Sequence, residues 1–160
     1  MGTKGTEKAV FAAGCFWGVE ETFRTVEGVT STRVGYTGGT KVKPTYEDVC
    51  RHDTGHAEAV EVTFDPERVS YRELLNIFWD IHDPTTLNRQ GPDVGSQYRS
   101  AIFYTTPGQE QEAKGSLREI EKSGIYGRPI VTEIAAVSEF YEAEDYHQKY
   151  LMKRGRKYCG

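Results

Sequence analysis

The stretch KAVFAAGCFWGVEETFRTV, residues 8–26, decides the reading of this chain. Residues 8–13 form a short apolar run of the kind a strand buried on both faces shows. Gly14 breaks it. From Cys15 to about Val26, Phe16, Val19, Phe23 and Val26 recur at i, i+3, i+7 and i+10, which makes one helical stripe. A strand, a glycine and then a helix put Cys15 at a helix start. The unsatisfied N–H groups and the dipole there favour an anion, so a thiolate would be stabilised. Gly14 permits a tight turn, and Gly18 permits close approach of a substrate or a neighbouring backbone. Position alone also admits a buried structural thiol. Trp17 lies off the apolar stripe, on the side of Glu21 and Arg24. It reads as the wall of an apolar pocket, or as packing beneath a loop. Phe16 belongs to the stripe and reads as core, although a residue in the first turn can serve both roles.

The chain has 160 residues, the size of one domain with one hydrophobic core. Its formal net charge is −4 and no long basic run occurs, so nucleic acid is not expected as a partner. No stretch approaches the ~20 apolar residues of a membrane span. The first ten residues, MGTKGTEKAV, lack an apolar signal region. Gly2 and Thr6 fit a loose acylation pattern, but residues 1–7 are read as a flexible tail. Three cysteines, Cys15, Cys50 and Cys159, are an odd count that argues against a secreted disulfide framework. Reduced thiols in a cytoplasm fit better, and a monomer is expected.

Further along, residues 30–37 read as a strand, and residues 56–64 (HAEAVEVTF) alternate as another. Ser70 with Glu73 reads as a capping box opening a helix that carries Leu74, Leu75, Phe78 and Ile81. Residues 83–98 read as a long irregular connection, the kind that is usually functional or disordered. Residues 99–105 read as a strand, and Thr106-Pro107 with Gln109 as the start of a helix. Residues 130–137 read as a strand, and Ser138 as the cap of a last helix through Tyr146 and Tyr150. The expectation is an α+β fold, a two-layer sandwich with a mixed sheet, covering helices and long loops.

Glu58 shares its parity with Val60, Val62 and Phe64, so its carboxyl lies on the apolar face of its strand. Burial would raise its pKa and keep it protonated, which suits a general acid. Reaching water at the strand end, or pairing with an arginine, are the plainer alternatives. Tyr46, Asp93 and Tyr98 lie in or beside irregular segments, where polar groups are commonly displayed. Cys159, next to last, could be a mobile thiol that attacks an oxidised partner, or a spectator. Cys50, His52 and His56 have a spacing that could seat a metal, without an evident fourth ligand. His82 and His147 read as capping or surface residues. A Cys–His acyl transferase or protease, with Cys15 and His56 or His147, and a non-catalytic redox or metal-binding module, stand as rival functions.

Six stretches together resemble the A-type peptide methionine sulfoxide reductases: GCFWG (14–18), VGYTGG (34–39), PTYEDVC (44–50), TGHAEAVEVTFDP (54–66), FWDIHDPTTLNRQGPDVGSQYRSAIFY (78–104) and AEDYHQKYL (143–151). The resemblance implies a ferredoxin-like core. It implies Cys15 as nucleophile, Glu58 as acid, and Tyr46, Asp93 and Tyr98 as a polar ring. Phe16 and Trp17 would hold the substrate methyl group. It further implies that Cys159, in a mobile tail over residues 152–160, resolves a Cys15 sulfenic acid as a disulfide. A thioredoxin-type reductant, preference for the S epimer, and no metal or organic cofactor complete the expectation. The substrate would be methionine sulfoxide, free or in oxidised proteins.

Overall fold

The computed structural model describes residues 5–51 and 54–153. The apolar run becomes strand β1 (Glu7–Ala13), and it is central. On one side it pairs antiparallel with β3 (Ala57–Phe64), Phe11 opposite Val60; on the other it pairs antiparallel with β6 (Ser100–Tyr104), Phe11 opposite Ile102. Both faces are covered, which is why the run does not alternate. Phe11 and Ala9 face the larger core, while Val10 and Ala12 face a smaller one with Ala57, Ala59, Ala101 and Phe103.

Helix α1 (Phe16–Arg24) crosses from β1 to β2 (Val29–Thr37), which pairs antiparallel with β3. Short helix α2 (Tyr46–Cys50) lies between β2 and β3. Helix α3 (Tyr71–Asp80) follows β3 and leads, through a small hairpin of β4 (Arg89–Gln90) and β5 (Asp93–Val94) and a 3₁₀ turn (Ser96–Tyr98), to β6. The core is thus β-α-β-β-α-β with spatial order β6-β1-β3-β2, the ferredoxin-like arrangement. Helix α4 (Pro107–Ser123) carries the chain to β7 (Glu133–Ala136), which joins β6 in parallel. Strand β8 (Tyr141–Glu142) adds antiparallel to the outer edge of β2, completing a mixed six-stranded sheet.

The larger core is aromatic. Phe11 stacks on Phe23 at 5.1 Å and on Phe78 at 5.3 Å, so one residue ties the central strand to both α1 and α3. Burying a side chain of this size contributes about 2–3 kcal/mol. Ser70 caps α3 through the expected reciprocal box with Glu73. At α4 the Thr106 hydroxyl accepts from the Gln109 amide as expected, but the Gln109 side chain takes the Thr105 amide instead of the cap's own and donates to the Lys8 carbonyl. It fastens α4 to β1.

Residues 138–149 depart from expectation. No helix starts at Ser138: the chain forms β8, then a 3₁₀ turn (Asp145–His147) and a short helix α5 (Tyr150–Lys153). The unpaired edge of β2 supplies the reason, because its N–H and C=O groups need partners that a local helix would not offer. Gln148 joins β8 in that task. Its side chain accepts the Val34 N–H at 2.9 Å and donates to the Val34 carbonyl at 2.9 Å.

His82, read as a capping or surface residue, bonds the last turn of α3 and also reaches β6. Its Nδ1 donates to the Phe78 carbonyl at 2.7 Å, so Nε2 accepts from the Ser100 hydroxyl, also at 2.7 Å. That hydroxyl lies 2.7 Å from Thr132 Oγ1, linking α3, β6 and the approach to β7. Burial pushes the imidazole pKa down to about 4, against the smaller pull of the Phe78 carbonyl and Asp83. Between the ordinary 6.5 and about 4, the unfolded chain takes up a proton that the folded chain refuses. The His82 contribution to stability is therefore full above pH 6.5 and is lost as pH falls towards 4, about 1–3 kcal/mol in all for a partly exposed ring. Urea unfolding of the wild type and His82→Gln at several pH values across this window measures it. The wild type should lose more stability than the variant on acidification, and parallel curves would refute the assignment.

Candidate active site

Cys15 is the N-cap residue of α1, partly exposed, with its carbonyl accepting the Val19 N–H at 3.5 Å. Gly14 before it has φ +102°, in the region that favours glycine. A Cβ there would also lie 3.0 Å from Gln90 Cγ and 3.1 Å from its Cβ. Gln90 is itself held in place, accepting from the Asp83 N–H at 3.0 Å and donating to the Asp83 carbonyl. The connection over residues 83–98 is therefore an ordered wall pressed against the residue before Cys15.

Glu58 is 1% exposed on β3, opposite Tyr36 of β2, and it faces the helical layer as its parity predicts. Its Oε1 accepts the Phe16 backbone N–H at 3.2 Å. The first amide of α1 thus reaches from the residue after Cys15 to the buried carboxyl. Phe16 is 1% exposed and tilts against Tyr36 and His147, with ring centroids 5.7 and 5.1 Å away, so its ring serves the core and the wall of the site together.

Two phenols lie within electrostatic reach of the same carboxyl. Burial, and then the carboxylate that Glu58 becomes at alkaline pH, push the pKa of Tyr46 and of Tyr98 well above the ordinary tyrosine value. Both stay neutral hydrogen-bond donors at any working pH. Charges on Cys50, Asp93 and Cys15 push in the same direction at Tyr98. Tyr46 opens α2 behind a Thr45–Asp48 capping box, and its N–H donates to Glu144 Oε2 at 3.0 Å. Glu144 also accepts the Tyr36 hydroxyl at 2.9 Å. Burial works to raise its pKa, but these hydrogen bonds outweigh burial and hold the carboxyl below the usual range.

Trp17 is partly buried beside this cluster. Its Nε1–H donates to His147 Nδ1 at 2.9 Å, and its indole stacks on Tyr150 at 3.8 Å and 11°. His147 is fully buried, against Tyr46 at 4.5 Å and Tyr146 at 4.0 Å. Because Nδ1 accepts, the proton sits on Nε2 and the ring is neutral; burial holds its pKa down, with Glu144 opposing. The capping or surface role expected of His147 is thereby corrected.

Tyr150, Tyr36 and Glu144 were not among the residues singled out as functional from sequence, and His147 entered only as a base for Cys15 in the rival Cys–His reading. The one signal for them is that a tryptophan at an apolar wall needs an acceptor for its N–H. Local spacing does not reveal an acceptor 130 residues away.

His56 is 1% exposed and engaged at both nitrogens: Nδ1 accepts the Gly39 N–H at 3.0 Å and Nε2 donates to the Lys41 carbonyl at 2.7 Å. It holds the loop that leads to α2, and neither nitrogen is left to serve Cys15 as a base or to bind a metal. Burial pushes the Cys50 thiol pKa up, against a hydrogen bond from Tyr46, so the thiol is neutral near pH 7. Cys159 and His52 lie outside the described residues.

The arrangement thus offers an anion site at a helix start, a buried carboxyl one amide away, two neutral phenol donors and an aromatic wall. Residues 7–160 match the family description Peptide methionine sulfoxide reductase. A protein of Methanosarcina acetivorans named Peptide methionine sulfoxide reductase MsrA is 65% identical over 152 residues, 95% of this chain and 81% of that one. The crystal structure of Mxr1 from Saccharomyces cerevisiae in reduced form superposes with a TM-score of 0.89 at 37% identity, covering 96% of this chain and 88% of that one. Mxr1 in complex with Trx2 superposes with a TM-score of 0.64 at 27% identity, covering 91% and 84%.

Gly14→Ala should cost about 1–3 kcal/mol of stability, from the left-handed backbone and the clash with Gln90. An unshifted urea midpoint would show that the wall yields without cost.

Proposed function

The chain belongs to the peptide methionine sulfoxide reductases, and on that footing we propose that Cys15 is the nucleophile and Glu58 the acid in its reduction of methionine S-sulfoxide to methionine. The observation that carries the proposal is the 3.2 Å hydrogen bond from the Phe16 amide to Glu58 Oε1, which joins the buried carboxyl to the residue beside the thiol.

The chemistry follows from the surroundings. Burial disfavours the charged form of Glu58, and a neutral acid can accept the Phe16 N–H at Oε1 while Oε2 carries the proton. A sulfoxide presents a strongly polar S–O bond next to a small apolar methyl group. Trp17 and Phe16 form the wall for the methyl. Tyr46 and Tyr98 donate to the oxygen, and Asp93 beside them completes the polar ring. Proton transfer from Glu58 to the oxygen makes the sulfur electrophilic, and the Cys15 thiolate attacks it. The oxygen ends on Cys15 as a sulfenic acid and methionine leaves, so the two electrons gained by the substrate sulfur come from the cysteine. The Cys159 thiol then condenses with the sulfenic acid, forming a disulfide and releasing water. An external dithiol returns both cysteines to thiols.

All electrons come from thiols, so the reaction requires no metal or organic cofactor. The association of the related Mxr1 with Trx2 supports a thioredoxin as the reductant here. The substrate is methionine sulfoxide, free or within oxidised proteins. A monomeric single domain over residues 1–160, acting in a reducing cytoplasm, suits this cycle. No helix among the described residues is long and apolar enough to cross a membrane. Burial raises the Cys50 thiol pKa and so leaves it less thiolate than an ordinary exposed cysteine, which supports Cys159 as the resolving thiol.

Two measurements test the roles. Glu58→Gln keeps an acceptor for the Phe16 amide but has no proton to give, so it should slow the first turnover by about 10²–10⁴. An unchanged single-turnover rate excludes the acid role. Cys159→Ser should form one methionine per enzyme and then stop under thioredoxin, whereas sustained cycling removes Cys159 as sole resolver; Cys15→Ser should form none.

A further inference from the structure

The buried stripe of α1 contains one charged residue. Glu20 is 1% exposed, on the same face as Phe16, Val19 and Phe23. A carboxylate there costs free energy unless hydrogen bonds replace its water. Its partners come from two distant segments. Oε1 accepts the Lys149 backbone N–H at 2.7 Å. Oε2 accepts the Thr32 hydroxyl at 2.8 Å and lies 3.6 Å from Lys149 Nζ, which also donates to the Thr32 carbonyl at 2.9 Å.

Lys149 is a special point in the backbone. Its φ is +53°, a left-handed conformation that a side chain bearing Cβ enters at a cost of about 1–2 kcal/mol. Something must hold it there, and the Glu20 carboxylate is bonded to the amide of that very residue. The reversal at Lys149 separates His147, which takes the Trp17 N–H, from Tyr150, which stacks on the same indole. Gln148 between them is bound to Val34. Four consecutive residues thus each have a fixed partner on α1 or β2, and two of the four grip Trp17.

We propose that Glu20 is a positioning residue of the substrate pocket: by holding the Lys149 amide it fixes the segment that sets the indole of Trp17. One turn of α1 lies between Trp17 and Glu20, so the wall and its anchor move as one body. This inference rests on the reading of Trp17 as the wall for the substrate methyl. Glu20 touches neither substrate nor the reacting sulfur, so its loss should loosen the pocket and leave the chemical step intact.

The test is the dependence of the single-turnover rate on N-acetylmethionine sulfoxide concentration, in folded enzyme checked by circular dichroism. Glu20→Ala should raise the half-saturating concentration about fivefold to tenfold, with the rate at saturation within about twofold of wild type. Glu20→Gln keeps an oxygen for the Lys149 amide and should return the half-saturating concentration to within about threefold. Glu20→Asp, one methylene short, should behave like alanine, and it carries the test with Gln if the alanine variant does not fold. Equal half-saturation in all folded variants overturns the proposal. So does a fall in the saturating rate alone, the mark of a general loss of active protein.

Trp17→Ala, measured alongside, separates the two readings. If it too raises half-saturation, Trp17 is the wall and the Glu20 variants decide the anchor. If it leaves half-saturation at the wild-type value, the reading of Trp17 falls and takes this inference with it.

Discussion

The hydrogen bond between the Phe16 amide and Glu58 is the constraint on which the site depends. It closes the gap between α1 and β3, and it does so at the one backbone group that follows the thiol. Glu58 has to be buried for this, and a buried carboxyl is tolerable only with donors around it. The sheet register supplies the depth by setting Glu58 opposite Tyr36, in the layer under the helix. Tyr36 in turn hands its hydroxyl to Glu144, whose other oxygen takes the Tyr46 amide. One chain of hydrogen-bonded groups thus runs from Tyr36 of β2 through Glu144 to the start of α2, around the Phe16 ring.

The central pieces of this arrangement were legible in the sequence because each is local. The strand–glycine–helix junction at Gly14 needed only a change of period from an apolar run to a 3.6-residue stripe. The face of Glu58 followed from parity with Val60 and Val62, and the cap of α3 from Ser70 and Glu73. The family resemblance then gathered Tyr46, Asp93 and Tyr98 around the same carboxyl.

What the sequence concealed depends on pairing across the chain. Residues 138–149 lost their expected helix to the free edge of β2, and nothing within that segment announces the edge. Trp17 was recognised as lying off the buried stripe, but its two supports, His147 and Tyr150, sit at the far end of the chain. His82 and His56 hold positions that the sequence did not specify, for a related reason. Each is placed by backbone carbonyls or amides brought to it by the fold, with which their own neighbourhoods in sequence show no pattern.

The Gln148 side chain, bonded to both backbone groups of Val34, gives the molecule an uncommon kind of stiffness. The segment that seals this border of the sheet also supports the indole beside the thiol. Breathing of the aromatic wall would strip that border and bare a row of strand amides, an invitation to self-association. Colloidal solubility and a rigid recess for a single methyl group are therefore bound together in one short piece of chain.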